Sequence, residues 1–512
     1  MLFAIDPSSA FSSLVARPSL AVPPAADLLL RRSVAWSLRR GSFRRCALPL
    51  RAGTLRAMSP LVTASIIAFV AVQLAVGFLV SRRVRTESDY LLGGRRLGVS
   101  LAGISIFATW FAAESILGVS AAVRDDGLAG GRADPFGYAI ALLLLGLFLA
   151  ARLRRTGAAT LPEVFRDRFG VGAQRLAAMV MIPTTLLYAA AQVRGMGEVL
   201  AALSPLEINA AILVATAVVI VYTAMGGLLG DVYTDAIQGV IIVVGLCLML
   251  AMLMGRLGGP ADALASIDPS QWRLVAPGES SWSRFDTFLV PVVGAMIVQE
   301  TVSRVLACRD ERAARGAALL GGWLYALFGA VPVLIGLLGA HIALSNAEGE
   351  GFIPALAAEV LPPAAYVVFI GAIISAILST VDSSLLASGA VVAHDIAPMF
   401  KRGLSDRARL RAARATVVLS GLVACGLALA SEGIYDLVLM ADGLGTAGVA
   451  VVGIAAMWCP WGGKRAALLA LGAAFVTAFW LGNFTDFEAP FFVSLAAAVA
   501  GYTIGAMLDS RQ

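Results

Sequence analysis

The chain has 512 residues, of which 59% are hydrophobic and 14% charged. Soluble domains carry about 25% charged residues, so this balance, with a mean hydropathy of +0.85, excludes an ordinary soluble protein and indicates a polytopic membrane protein. The formal net charge of +6 sits mostly in loop arginines and reports topology before nucleic-acid binding.

Residues 1–57 are rich in Arg, Ser and Ala and poor in acids, the composition of a transit peptide. Met58 directly precedes SPLVTASIIAFVAVQ, where a first helix should begin. The favoured reading is therefore that 1–57 is upstream sequence and no part of the fold. From there, apolar runs of about 20 residues mark helical spans. Thirteen are expected, near 59–81, 98–123, 135–152, 173–203, 207–224, 231–254, 286–308, 316–344, 364–396, 412–430, 433–458, 464–482 and 488–508. Alternating ten-residue patterns of a membrane barrel are absent. The expected fold class is all-α.

The loops sort by charge. Arg82, Arg83, Arg85, Arg95 and Arg96 form one basic group; Arg152, Arg154 and Arg155 a second; Arg309, Arg312 and Arg315 a third; Lys401, Arg402, Arg407, Arg409, Arg411 and Arg414 a fourth; Lys464 and Arg465 a fifth. Alternate loops are poor in them, and SNAEGEGFIPALAAEVLPP has no Lys or Arg. The positive-inside rule then places the N-terminus outside and the C-terminus in the cytoplasm, in a cell (inner) membrane.

Two spans carry polar or turn-forming residues at mid-depth. The second, LAGISIFATWFAAESILGVSAAV, holds Thr109, Glu114, Ser115 and Gly118. The seventh, FDTFLVPVVGAMIVQETVSRV, holds Pro291 and Gly294. They lie five spans apart, the spacing of broken helices in transporters built from two inverted five-helix repeats. Packing kinks would also account for them. The expected organisation is a peripheral first helix and loop over 58–97, a five-plus-five inverted-repeat core over 98–460, and peripheral helices over 461–512.

The ninth span contains SAILSTVDSS. A carboxylate at mid-membrane costs about 2.5 to 3.5 kcal/mol on insertion scales, so Asp382 needs compensation. Residues at i, i+3 and i+4 share a helix face. Ala376, Ser379 and Thr380 have that spacing, as do Ser379, Asp382 and Ser383. Such a face offers hydroxyl oxygens and a carboxylate, the ligand type of a hard cation. Back-bonding of the hydroxyls to their own helix is the alternative, but it leaves Asp382 uncompensated. Asp235, one turn inside the sixth span, and Arg194 in the fourth are the partners the sequence offers: an arginine pair or a shared cation.

Six stretches in order carry a family resemblance: SDYLLGGRRLG with FATWFAAESILG, TLPEVFRDRFG, YTAMGGLLGDVYTDAIQG, QETVSRVLACRDERAARGAALLGG, and ISAILSTVDSSLLASGAVVAHDI. On these the chain resembles the sodium:solute symporter family, whose members carry proline, pantothenate, sialic acid, sugars or choline, over about 59–509. The resemblance implies sodium ligands from the carbonyls of Ala108, Phe111 and Ala376 and the hydroxyls of Ser379 and Thr380. It implies a second cation site at Asp235, Asp382 and Ser383, as in some members. Trp110, Glu114 and Tyr188 are placed near the substrate cavity. Trp110 stands where the proline branch has an aspartate, which puts proline as substrate in doubt.

The expected function is sodium-coupled uptake of a small organic solute by alternating access. A proton-coupled symporter of the same fold, or a transporter-like sensor, are the alternatives. An enzyme is excluded by the lack of a nucleophile–histidine pair, metal-ligand spacing or phosphate loop. No cofactor is expected beyond sodium as coupling ion, and the partners are the solute, sodium and the lipid bilayer, without nucleic acid.

Overall fold

The computed structural model describes residues 84–510, apart from 85, 343, 345–348, 398–404, 432, 444 and 486, together with scattered helical residues between 68 and 80. Residues 1–57 and most of the first expected span lie outside the described residues. The rest is helix and loop.

Chain order runs α1 (Glu87–Leu92), α2 (Val99–Trp110), α3 (Glu114–Ala129), α4 (Arg132–Thr156), α5 (Leu161–Phe169), α6 (Val171–Leu203), α7 (Ile208–Arg256) and α8 (Ser281–Leu289). It continues through α9 (Gln299–Ala307), α10 (Glu311–Gly339), α11 (Pro363–Ala390), α12 (Asp406–Ala430), α13 (Ile434–Gly443), α14 (Thr446–Trp458), α15 (Lys464–Phe484) and α16 (Pro490–Asp509). Among the described residues, nine helices are long and apolar enough to cross a membrane, or ten if α2 and α3 form one broken span. Each expected span from 98 onward falls on helix.

Local chemistry sets the boundaries. Thr86, Thr160, Asp310 and Ser405 cap α1, α5, α10 and α12 by accepting from backbone N–H groups in the first turn. Inside α7, Gly227 adopts φ 59° and ψ −176°, a conformation open to glycine, and an added Cβ would lie 2.6 Å from Tyr90. This residue divides the fifth from the sixth expected span.

Both expected breaks are present. The axis turns by 61° between α2 and α3, with Phe111 at φ −87° and ψ 74°. In the seventh span, α8 passes through a widened turn over Val290–Gly294 before α9 starts at Gln299.

The interior packs α7 against α11, α6 against α11, and α2 against α10. Many large apolar side chains face outward instead, among them Trp323, Leu327, Val476 and Trp480. Such exposure suits lipid as solvent.

The arginine-rich loops gather at one end of the bundle. Arg95 donates to the carbonyls of Gly157 and Ala158, Arg154 to that of Cys308, and Arg155 pairs with Glu311. His394 bridges Glu87 at 3.1 Å and Glu163 at 3.0 Å, while Arg409 pairs with Glu87. Burial pushes the Glu163 carboxyl up. Hydrogen bonds from His394 and the Ala159 N–H, with the charges of His394 and Arg166, outweigh burial and hold it at about 2. Loops that the sequence sorts by charge are thus neighbours in space.

Candidate functional site

The break after α2 leaves backbone carbonyls without helical partners, at the level where α11 crosses it. Two α11 hydroxyls fill this junction. Ser379 Oγ donates to Ala108 O at 2.8 Å and to Ala376 O at 2.9 Å. Thr380 Oγ1 donates to Thr109 O at 2.9 Å and to Ala376 O at 3.0 Å. Both hydroxyls therefore back-bond within their own helix and also reach across to the broken one. Ala108, Ala376, Ser379 and Thr380 are fully buried. Phe111 ends the same break, and its N–H caps Phe107 O. The result is a compact, uncharged cluster of carbonyl and hydroxyl oxygens drawn from two helices.

One turn further along α11 the chemistry changes. Arg304 of α9 is among the largest fully buried side chains. Its Nη2 donates to Asp231 at 2.6 Å, Asp235 at 2.9 Å and Ser383 Oγ at 2.5 Å. Its Nε donates to Ser105 Oγ at 2.7 Å, and Ser105 in turn donates to Asp235 at 2.5 Å. Asp382 interacts electrostatically with Arg304 and with Asp231. Asp235, Asp382 and Ser383 do come together, but around a guanidinium.

Arg194 is not the compensating cation. It pairs with Glu198 at 3.1 Å and donates to the carbonyls of Ala428 and Ser431. The cation beside Asp382 is Arg304, held where the α9 backbone lets it reach inward from QETVSR. Its Nη1 also donates to the main-chain carbonyl of Glu300 at 3.0 Å. Sequence reasoning singles out neither Arg304 nor Asp231, one turn before Asp235 in GDVYTD, because nothing in the chain shows which cation faces which carboxylate.

A cavity opens beside the two breaks. It is lined by Thr109, Trp110, Tyr138, Val180, Met181, Thr184, Thr185, Tyr188, Ala295, Ile297, Val298, Gln299, Glu300, Ala441, Thr446 and Val449. Three aromatic rings and one carboxylate thus share a wall set that has no Lys or Arg. The Trp110 indole N–H donates to Thr301, and its ring meets Tyr138 edge-on at 5.2 Å. Trp110 and Tyr188 line the cavity as expected. Glu114 stands behind the wall. Tyr188 donates its hydroxyl to Glu114, and Gln192 donates to Glu114 at 2.7 Å while accepting from the Ala113 N–H at 3.1 Å. This set ties the broken helix to α6 and fixes the Tyr188 ring. Tyr138, Gln299 and Glu300 are cavity residues that apolar periodicity alone does not single out.

Comparison with known proteins agrees with this architecture. The model of the sodium:solute symporter family matches residues 90–471. The high-affinity choline transporter 1 of Drosophila melanogaster is 26% identical over 401 residues, covering 74% of this chain and 64% of the relative. The human high affinity choline transporter 1 is 26% identical over 403 residues, covering 73% of this chain and 68% of the relative. The chain thus spans about two thirds of the length of these relatives. Among solved structures, a Na+-coupled sialic acid symporter in a substrate-bound outward-open state superposes with a TM-score of 0.79 at 19% identity, covering 88% of this chain and 98% of that one. A nucleobase-cation-symport-1 family transporter in a closed conformation gives 0.57 at 14% identity, covering 83% and 95%. These structures share the fold. With three quarters of its length inside the family match, the chain belongs to the sodium:solute symporter family.

Proposed function

We propose that this protein couples inward sodium movement to the uptake of a small organic cation by alternating access. The observation that carries the reading is the junction of Ser379 and Thr380 with the carbonyls of Ala108, Thr109 and Ala376. Hard cations take oxygen ligands, and about five would surround a dehydrated sodium (by analogy with hard-cation sites). Rotating the two hydroxyl hydrogens away turns both oxygens toward the same point as the carbonyls. Phe111 O would complete the set. All donors are neutral, so the bound ion adds its full charge to the site, and the membrane potential drives it inward with about 2.3 kcal/mol per 100 mV.

The solute class follows from the cavity wall. Trp110, Tyr138 and Tyr188 line it with aromatic rings, and Glu300 adds a carboxyl group to a wall that has no Lys or Arg. Aromatic rings attract quaternary ammonium groups by about 0.5 to 2 kcal/mol each. The choline transporters among the relatives favour the same class. Coupling requires that sodium and solute each bind more tightly in the other's presence; Thr109 and Trp110 are adjacent residues, one carrying a junction carbonyl and the other a cavity wall.

A second cation at Asp235, Asp382 and Ser383 is a further reading. In its favour, three carboxylates face one guanidinium, and Asp235 Oδ1 is buried without a partner. The arginine distribution supports an outside N-terminus and a cytoplasmic C-terminus.

The test is uptake into proteoliposomes. Radiolabelled choline should accumulate when sodium is imposed outside and not when potassium replaces it. Accumulation of a neutral sugar or an anionic sialic acid instead would sink the solute class. Accumulation driven by a proton gradient without sodium would sink the coupling ion.

A further inference from the structure

Glu114 opens α3 directly after the first break, and neither the sodium junction nor the Arg304 cluster uses it. It is buried. The Tyr188 hydroxyl and the Gln192 amide donate to its two oxygens, and the carboxyl also turns back onto its own backbone N–H. The Ala113 N–H donates to Gln192 Oε1 at 3.1 Å. A backbone N–H can only donate, so this bond fixes which end of the amide faces Glu114. Three donors thus converge on one carboxyl group, the hydrogen-bonding pattern of a carboxylate. Among the described residues no Lys, Arg or His pairs with it.

A half-helix that starts at a break turns its N-terminus toward the bound solute, with free N–H groups and the positive end of its dipole. An anionic group of the solute would be received there. In α3 that end is already engaged. The Ala113 N–H is taken by Gln192, and that of Glu114 by its own side chain. Tyr188 carries the arrangement into the cavity, since its hydroxyl lies on Glu114 while the residue lines the wall. Glu300, the carboxyl group on the wall itself, is placed differently. Arg304, one turn further along α9, interacts with it electrostatically.

We infer that Glu114 is a built-in carboxylate at the receiving end of the broken helix, which makes the cavity refuse solutes bearing a carboxylate and accept those whose only charge is positive. The inference rests on the cationic-solute reading above and adds to it a residue that selects by charge. Glu114 acts through Tyr188 and the helix end, without touching the solute.

The experiment uses the full chain in proteoliposomes under an inward sodium gradient. Choline and glycine betaine share a trimethylammonium group, and betaine has a carboxylate where choline has a hydroxymethyl group. Each unlabelled compound competes against uptake of radiolabelled choline. Wild type should prefer choline over betaine by about tenfold or more, the effect of like charges on either side of one ring. Glu114→Gln keeps the shape and removes the charge, so it should shrink that preference roughly tenfold through tighter betaine binding. Glu114→Asp keeps the charge and should keep the preference. The ratio is read within each variant, so a general loss of folded protein does not imitate the result. Wild type that takes betaine as readily as choline overturns the inference and leaves the cationic-solute reading standing. An unchanged preference in Glu114→Gln overturns it as well. So does an equal loss in Glu114→Asp, because shape and not charge would then decide. Wild type that takes up neither compound with sodium removes the inference and the cationic-solute reading together.

Discussion

Two buried polar clusters lie one helical turn apart on α11, and they solve the membrane's demand for paired polar groups in opposite ways. Around Ser379 and Thr380 every donor and acceptor is neutral, and hydroxyls satisfy carbonyls freed by a break. Around Ser383 the carboxylates of Asp231 and Asp235 are met by a resident cation, Arg304. A neutral oxygen cluster can take up and release an ion at the cost of rotating hydroxyls. A guanidinium in contact with three partners is a fixture. On the proposed reading, the difference separates an exchangeable sodium site from the brace that holds α7, α9 and α11 around it.

The largest expected effect breaks the brace. Arg304→Met leaves buried carboxylates uncompensated and should destabilise the protein by about 3 to 5 kcal/mol, read as a large fall in melting temperature. Adding Asp231→Asn and Asp235→Asn to that variant should restore part of the loss. If Arg304→Met is neutral alone, the guanidinium is not the compensating cation.

The next effect sharpens the contrast. Ser379→Ala with Thr380→Ala removes two neutral hydroxyls, each worth about 1 kcal/mol of net hydrogen bonding. Sodium-free stability should change modestly while sodium affinity falls at least roughly tenfold. A melting temperature as low as that of Arg304→Met would erase the distinction between the clusters.

A third prediction concerns the cavity beside both. Glu300→Gln should weaken uptake of a cationic solute by roughly tenfold, about 1.4 kcal/mol, while leaving the sodium titration of the solute-free protein near wild type. Uptake of the cation that is indifferent to this change would mean that the aromatic rings alone select it.

The smallest effect lies at the arginine-rich end. Glu163 is held at about 2 against an ordinary 4.5. A folded value below the unfolded one gives stabilisation that is present above about pH 4.5 and lost as pH falls toward 2. Melting temperature should therefore decline on acidification through this window, and Glu163→Gln should flatten the decline. An unchanged slope in that variant would show that protonation of Glu163 does not set the acid dependence.

The fold was legible in the sequence because its determinants are local. Apolar run length, Arg-rich loops and the Pro291–Gly294 interruption are visible one segment at a time. The neutral half of the site was legible for the same reason: Ala376, Ser379 and Thr380 declare a face by spacing alone. What the sequence left open was pairing across helices. Asp382 announces a need for a cation without saying which one, and Arg194, the arginine that the sequence reading offers, gives way to Arg304 once the bundle is assembled.

The most direct test of the central claim is sodium binding in the absence of solute, followed by tryptophan fluorescence in wild type and in the Ser379→Ala, Thr380→Ala variant. Trp110 stands at the break itself and reports the junction. A saturable response to sodium, absent with potassium and lost in the double variant, is the predicted result. A wild-type protein indifferent to sodium, or a double variant that keeps the full response, would contradict the assignment of the exchangeable ion to the neutral cluster.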